Sequence, residues 1–302
     1  MPADPAIANV NGSIGPADRP SIPASDHGFL YGDSVYETVR TYGRRPFLME
    51  RHLERLERSA GAIKLHLPWG RDHITRETER TLPAVPGDAE LVIRIVATRG
   101  AGPFGYDPDL CPSPNLVILV RPLAPPTAAE REFGVKAVVA SVRRNPIEAL
   151  DPRIKSSNLL NNILASFEAK QAGAVEAILL NTAGCVAEGT NTNVFFVKDG
   201  RVLTPSLECG ILSGLTREIV IDLVGKAGLT LTQGRFRLEE AANADELFLT
   251  GTTREVLPVS HLDGRPVSTG RRGPVTSLLQ DLFRRRVVEE LMGTSTGPPA
   301  GG

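Results

Sequence analysis

The spacing of apolar positions changes period several times along the chain, and each change marks an element. Residues 34–41 alternate in the two-residue period of a strand, with Val35, Glu37 and Val39 on one face and Tyr36, Thr38 and Arg40 on the other, so both faces carry polar groups. From 49 to 63 the period lengthens. Met49, Leu53, Leu56, Ala60 and Ile63 recur at helical spacing while Arg51, Glu54, Arg55 and Arg58 fall elsewhere around the cylinder, which predicts an amphipathic helix. Ahead of these, residues 6–48 alternate short β-prone stretches with turns. A second helix over 71–82, a strand over 90–98, a Gly/Pro-rich loop and an apolar strand over 116–120 follow. Farther on, strands are predicted at 135–142, 176–180, 193–197, 202–203 and 246–250, and helices at 158–172, 216–227 and 276–291.

Mixed helices and strands over 302 residues predict an α/β (mixed α+β) fold with two subdomains. Pro122, Pro125 and Pro126 resist both helix and central strand, so the boundary is placed there. The predicted division is a small N-terminal domain over 1–121, a linker over 122–134, a larger domain over 135–292 and a disordered tail over 293–302 with no apolar group to bury. No internal repeat is apparent.

Charge narrows the partners. Lys plus Arg (34) and Asp plus Glu (35) nearly cancel, which gives no general pull toward nucleic acid or an anionic membrane, and a small molecule is the expected partner. Cys111, Cys185 and Cys209 show no CxxC or Cys/His spacing, so neither a disulfide framework nor a metal site is expected, and a reducing cytoplasm fits best. Residues 1–15 contain neither a basic cluster nor an apolar run, and no stretch approaches about 20 uninterrupted apolar residues.

Residues 100–105 satisfy the letters of GxGxxG, but Pro108, Pro112 and Pro114 follow, and the motif needs a helix whose N-terminus receives pyrophosphate. Lys155 and Glu188 are more informative. Pyridoxal phosphate needs one amine to hold its aldehyde and one acidic group to hold its ring nitrogen, and this pair could meet both needs. Taken alone, Lys155 also reads as a solvated lysine beside Ser156, Ser157 or Asn158 as helix cap, and Glu188 as an ordinary carboxylate in a turn between strands. The functional reading requires a partly buried amine. Two further segments suit a phosphate dianion: 212–217, a glycine turn opening a helix, and 249–254, where a strand runs into small hydroxyl residues. Each is equally a plain cap or turn.

Taken in order, segments 29–40, 51–56, 153–162, 186–196, 212–217 and 249–254 resemble the class IV, pyridoxal-phosphate-dependent aminotransferases, a family that includes branched-chain aminotransferases, D-amino acid aminotransferases and aminodeoxychorismate lyase. The resemblance runs from about residue 9 to 291. It implies a D-amino acid aminotransferase-like fold, with the cofactor between a small N-terminal and a larger C-terminal domain, and a homodimer. It further implies that Lys155 carries the cofactor aldehyde and is the catalytic residue, that Glu188 pairs with the ring nitrogen, and that Arg55, Leu215, Thr216 and Thr252 cradle the phosphate, with Asn193 also on the cofactor. Tyr36, Thr38, Arg40 and Thr253 would line the substrate side. Arg55 by itself would otherwise read as an exposed helix arginine paired to Glu54 or Glu57.

Residues 98–100, Asp107-Pro108, Cys111-Pro112, Asn161-Asn162 and Gly264-Arg265 look like the shorter branched-chain enzymes. Thr38 and Val39, Thr253 and Arg254, and Leu159 depart from the residues common there. The D-amino acid enzymes share the Thr-Thr pair, yet their carboxylate-trapping arginine and histidine are replaced by Phe104 and Tyr106, and the lyase shares the pattern of 99–106. The implied activity is ping-pong transamination from an apolar, branched-chain amino acid to 2-oxoglutarate, with amino acid and 2-oxoacid as the small-molecule partners. The D-specific transaminase, the lyase and a non-catalytic binding module on the same fold are the alternatives.

Overall fold

A computed structural model describes residues 6–293. Residues 294–302 of the expected tail and 1–5 of the N-terminal stretch lie outside the described residues, and Gly293 ends a helix. The described residues form two compact units. One runs to Ala124 and also takes in Ile154–Leu159; the other comprises Pro125–Arg153 and everything from Leu160. The proline-rich stretch marks the first crossing. The short return of Ile154–Leu159 to the first unit has no mark in composition.

The first unit contains β1 (Ile7–Val10), β2 (Ser13–Pro16), α1 (His27–Tyr31), β3 (Ser34–Tyr42), β4 (Arg45–Pro46), α2 (Met49–Ala62), α3 (Arg71–Thr81), β5 (Leu91–Thr98) and β6 (Asn115–Pro122). The strands form one antiparallel sheet in the order β2-β1-β6-β5-β3-β4. Val35 and Val39 of β3 join Ile93 and Ile95 of β5, Ile118 and Val120 of β6 and Leu53, Leu56 and Ala60 of α2 in one apolar core. Leu53 and Leu56 are wholly buried, and truncating either to alanine costs about 2–5 kcal/mol. The GxGxxG letters lead to no helix: a short 3-10 turn at Pro108–Leu110 precedes β6. Gly100 sits there at φ +101°, and a Cβ on it would run into the Ser113 carbonyl oxygen.

The second unit contains α4 (Ala128–Phe133), β7 (Val135–Val139), α5 (Leu160–Gln171), β8 (Glu176–Leu180), β9 (Val186–Gly189), β10 (Asn193–Lys198), β11 (Arg201–Pro205), α6 (Leu215–Lys226), β12 (Leu231–Gly234), α7 (Leu238–Ala242), β13 (Glu246–Gly251), β14 (Glu255–Leu262), β15 (Arg265–Pro266) and α8 (Pro274–Gly293). Its sheet runs β12-β11-β10-β13-β14-β7-β8-β9, and β9 pairs back onto β10, which closes six strands into a ring and leaves them no open edge. Val135, Ile178, Val186, Val194, Phe196, Leu249, Leu257 and Val259 pack together as the core of this sheet. On α5 the small residues Ala165 and Ala169 pack against Ala140, Ala177 and Leu179.

Four strands escape the sequence patterns: β9, β12, β14 and the two-residue β15. β14 is masked by Pro258, which reads as a breaker but precedes Val259, where pairing to β7 begins. β9 is short and carries Glu188, so Glu188 is a strand residue rather than a turn carboxylate.

Candidate active site

In the first unit the site is built on β3, α2 and the returning segment. Tyr36 N donates to the Lys155 carbonyl at 2.9 Å and Ser157 N to the Ser34 carbonyl at 2.9 Å, so the segment pairs with the start of β3, while β4 pairs with its end at Thr41 and Tyr42. Lys155 N in turn donates to Ser59 Oγ on α2 at 3.1 Å. The main chain of Lys155 is thus fixed on both sides. Its side chain is half-buried, with Nζ 4.5 Å from the centre of the Tyr36 ring.

A second cation faces the same ring. Arg94, on β5 directly across from Thr38, holds its guanidinium 4.1 Å from the Tyr36 ring centre and is exposed; no carboxylate among the described residues pairs with it. Arg40, on the same strand face as Tyr36 and Thr38, is buried, its guanidinium 4.0 Å from the centre of the Tyr42 ring.

Arg55 turns inward. Its Nε and Nη2 donate to the two oxygens of Glu37 at 2.6 and 2.8 Å, while Glu54 and Glu57, the partners its own helix offers, are gathered by Arg71. Glu37 is fully buried between Val35 and Val39. Burial alone would raise its pKa, but the charge and hydrogen bonds of Arg55, helped by His52, more than offset this and hold the carboxyl far below the usual carboxylate range. His52 Nδ1 lies 2.7 Å from Glu37 Oε2, and because an ionised carboxylate only accepts, Nδ1 carries the hydrogen. Burial outweighs that carboxylate and lowers the His52 pKa, so the ring stays neutral.

In the second unit the site gathers where the ring of strands closes, since Glu188 of β9 and Asn193 of β10 are register partners at that junction. Glu188 Oε2 accepts from Leu212 N at 2.9 Å and Asn193 Nδ2 at 3.2 Å, and Asn193 Nδ2 also donates to the Leu212 carbonyl at 2.9 Å. Arg144 Nε lies 3.0 Å from Glu188 Oε1, close enough for an ion pair though its N–H is not aimed at a hydrogen-bond acceptor. Arg144 Nη1 donates to the side-chain oxygens of Asn161 and Asn162 at 3.1 and 3.2 Å. Nearby, buried Glu176 accepts from Thr190 N and Thr192 Oγ1, both at 2.9 Å, and also from Thr190 Oγ1, which pins the turn between Glu188 and Asn193.

The two segments that the sequence offers to a phosphate flank this junction. α6 begins at Gly214 with no side chain capping it, and its first residues, Leu215 and Thr216, are buried. A Cβ on Gly214 would overlap Asn193 Oδ1, so the close approach of Asn193 requires glycine. The uncapped N-terminus of this twelve-residue helix presents unshared N–H groups and the positive end of its dipole. The turn after β13 carries half-buried Thr252 and Thr253. Thr250 Oγ1, within β13, is buried without a hydrogen-bond partner.

The sequence-derived candidates therefore fall into two groups: Tyr36, Thr38, Arg40, Arg55 and Lys155 in the first unit, and Glu188, Asn193, Leu215, Thr216, Thr252 and Thr253 in the second. Sequence reasoning misses Glu37, His52, Ser59, Arg94, Arg144 and Glu176. One available signal is Glu37, a carboxylate between two valines on one strand face, which demands a buried cation. His52, Arg55 and Ser59 at i, i+3 and i+7 on α2 supply the matching stripe.

The family model described as amino-transferase class IV matches residues 34–262. A putative branched-chain-amino-acid aminotransferase of Methanocaldococcus jannaschii is 37% identical, covering 91% of this chain and 94% of the relative. The branched-chain aminotransferase of Thermoproteus uzoniensis, solved with norvaline, superposes with a TM-score of 0.86 at 32% identity, covering 94% of this chain and 95% of that one. That of Thermobaculum terrenum, solved in its pyridoxal-phosphate holo-form, gives 0.83 at 30% identity, with 95% of each chain covered. Relatives at 34% identity also include an aminodeoxychorismate lyase of Bacillus subtilis and a D-alanine aminotransferase of Listeria monocytogenes, covering 87% and 93% of this chain and 88% and 95% of the relatives.

Proposed function

The chain belongs to the class IV aminotransferases, and from that premise we propose that it moves the amino group of a branched-chain or other apolar L-amino acid to 2-oxoglutarate by a ping-pong cycle. Pyridoxal phosphate is the cofactor of this class. The residues fit it: a lysine fixed by its main chain, a buried carboxylate with directed hydrogen bonds, a glycine-opened helix without a side-chain cap, and an orphaned hydroxyl at Thr250.

When bound, the cofactor supplies an aldehyde that captures an amine and a ring that accepts the electrons of the substrate α-carbon. Lys155 would hold that aldehyde and, as a free amine, would move the proton at the substrate α-carbon. Glu188 would keep a proton on the ring nitrogen by its negative charge, while Arg144, Asn193 and Leu212 hold the carboxylate in place. Arg55, Leu215, Thr216 and Thr252 are assigned to the phosphate, and Tyr36, Thr38, Arg40 and Thr253 to the substrate. The observation that carries the reading is the pinned main chain of Lys155 beside the Tyr36 ring.

The test is a panel of half-reactions followed by absorbance. L-leucine, L-isoleucine and L-valine are expected to convert the cofactor; silence with all three alongside rapid conversion by D-alanine, or turnover of aminodeoxychorismate, contradicts the proposal. Phe104 and Tyr106, 85% and 90% exposed, offer no charge with which to hold a D-substrate carboxylate. Arg94 favours a dicarboxylate acceptor, since an exposed guanidinium beside the Tyr36 ring can pair with a second carboxylate. Arg94→Met is expected to raise KM for 2-oxoglutarate about 10-fold or more while KM for leucine stays within about threefold. Equal changes for both substrates would remove Arg94 from acceptor recognition.

A homodimer belongs to the same proposal. α5 exposes Leu160, Ile163, Leu164 and Phe167 at i, i+3, i+4 and i+7, each 45–68% accessible, an apolar stripe suited to a second copy. Phe167→Glu is expected to convert the dimer to a monomer in sedimentation velocity; an unchanged dimer would move the interface elsewhere. No helix among the described residues is long and apolar enough to cross a membrane. A cytoplasmic setting completes the proposal.

A further inference from the structure

Glu37 is an expensive group where it stands: a carboxylate with no exposure on a strand face shared with Val35 and Val39, inside an apolar core. A buried ion pair of this kind adds little to stability compared with packed hydrocarbon. Its geometry is nonetheless specific. Both oxygens are engaged by the guanidinium of Arg55 in a fork–fork pair, Oε2 also accepts from His52 Nδ1, and Thr38 N reaches Oε2 at 3.2 Å. A guanidinium held along its Nε–Nη2 edge by two hydrogen bonds cannot turn about its Cδ–Nε bond without breaking them, so its plane is fixed. His52, Arg55 and Ser59 lie on one stripe of α2, and Ser59 holds Lys155 N. One carboxylate therefore sets α2 in register with β3, and through α2 it registers both Arg55 and the main chain of Lys155.

We propose that Glu37 is the positioning residue of the phosphate end of the site: it orients the Arg55 guanidinium, with His52 as its second anchor, so that a phosphate monoester dianion meets a preset donor plane. This rests on the proposed use of Arg55 for the cofactor phosphate. The assignment separates from simple charge balance. Glu37 neutralises Arg55, so if charge alone mattered, Glu37→Gln would strengthen attraction for a dianion. If orientation matters, the glutamine amide turns an N–H toward a guanidinium N–H, breaks one arm of the fork and weakens binding.

The experiment measures equilibrium dissociation of two probes, pyridoxal 5'-phosphate and phosphate-free pyridoxal, by visible absorbance in the full chain and its Glu37→Gln variant. Expected is a rise in the pyridoxal 5'-phosphate Kd of about 10- to 100-fold, with pyridoxal changed less than about threefold. Equal or tighter binding of the phosphorylated probe in the variant, or an equal loss for both probes, overturns the assignment. If Glu37→Gln gives no cooperative thermal transition, Glu37→Asp decides, since it keeps the charge but is one methylene too short to hold the fork. Selective loss of the phosphorylated probe supports positioning, and unchanged binding refutes it. A parent chain that takes up neither probe would instead overturn the proposed function itself.

Discussion

Lys155→Ala is expected to abolish transamination, lowering kcat by about 10⁴-fold or more, because on the proposed reading it removes both the amine that carries the cofactor aldehyde and the base that moves the α-proton. The fold should survive. Lys155 is half-buried, and the bonds that seat its segment, Tyr36 N to the Lys155 carbonyl, Ser157 N to the Ser34 carbonyl and Lys155 N to Ser59 Oγ, use only main-chain atoms of that segment, which alanine retains. Steady-state assay with leucine and 2-oxoglutarate, beside thermal unfolding of the same preparation, checks both halves. A loss of activity that merely tracks a loss of folded protein would leave the chemical role unsupported.

Glu188→Gln is expected to be the next largest effect, about 10²- to 10³-fold in kcat, since a neutral amide cannot keep the ring nitrogen protonated against the pull of electrons toward it. The substitution also turns a pair into a buried Arg144 with no anion beside it, and if the amide oxygen keeps the bonds from Leu212 N and Asn193 Nδ2, its NH2 faces the Arg144 guanidinium. Some stability is lost as well. Cofactor affinity should change far less than kcat, because the proposal assigns the phosphate and the aldehyde to other groups. If affinity and kcat fall together, Glu188 serves only to bind.

Much of the fold was legible from periodicity alone. The amphipathic stripe of Met49, Leu53, Leu56 and Ala60 gave α2, and the apolar runs gave β5, β6, β8, β10 and β13 to within a few residues. What the patterns hid has physical causes. β14 contains a proline at a position where pairing to β7 has not yet begun, and β9 is a four-residue strand followed by a Thr/Asn turn whose hydroxyls serve Glu176 rather than their own backbone. The return of Ile154–Leu159 to the first unit depends on main-chain bonds to β3, which composition does not encode.

The candidate site was legible in a different sense. Lys155 and Glu188 stand out by residue type, whereas Arg55 became a candidate only by resemblance, because its helix offers Glu54 and Glu57 as ready partners. The deciding residue is Glu37, on a different element, and Arg71 draws the helix carboxylates outward. Arg144 and Glu176 are long-range partners fixed by strand closure, and no local pattern announces them.

The central claim is that Lys155 holds the cofactor. It is tested most directly by reducing the freshly purified, yellow protein with borohydride, digesting it and locating the modified lysine by mass spectrometry. The account predicts loss of the visible band and a reduced pyridoxyl phosphate on the peptide bearing Lys155 alone. A label on another lysine, or a preparation that cannot be reconstituted with pyridoxal phosphate, would contradict it.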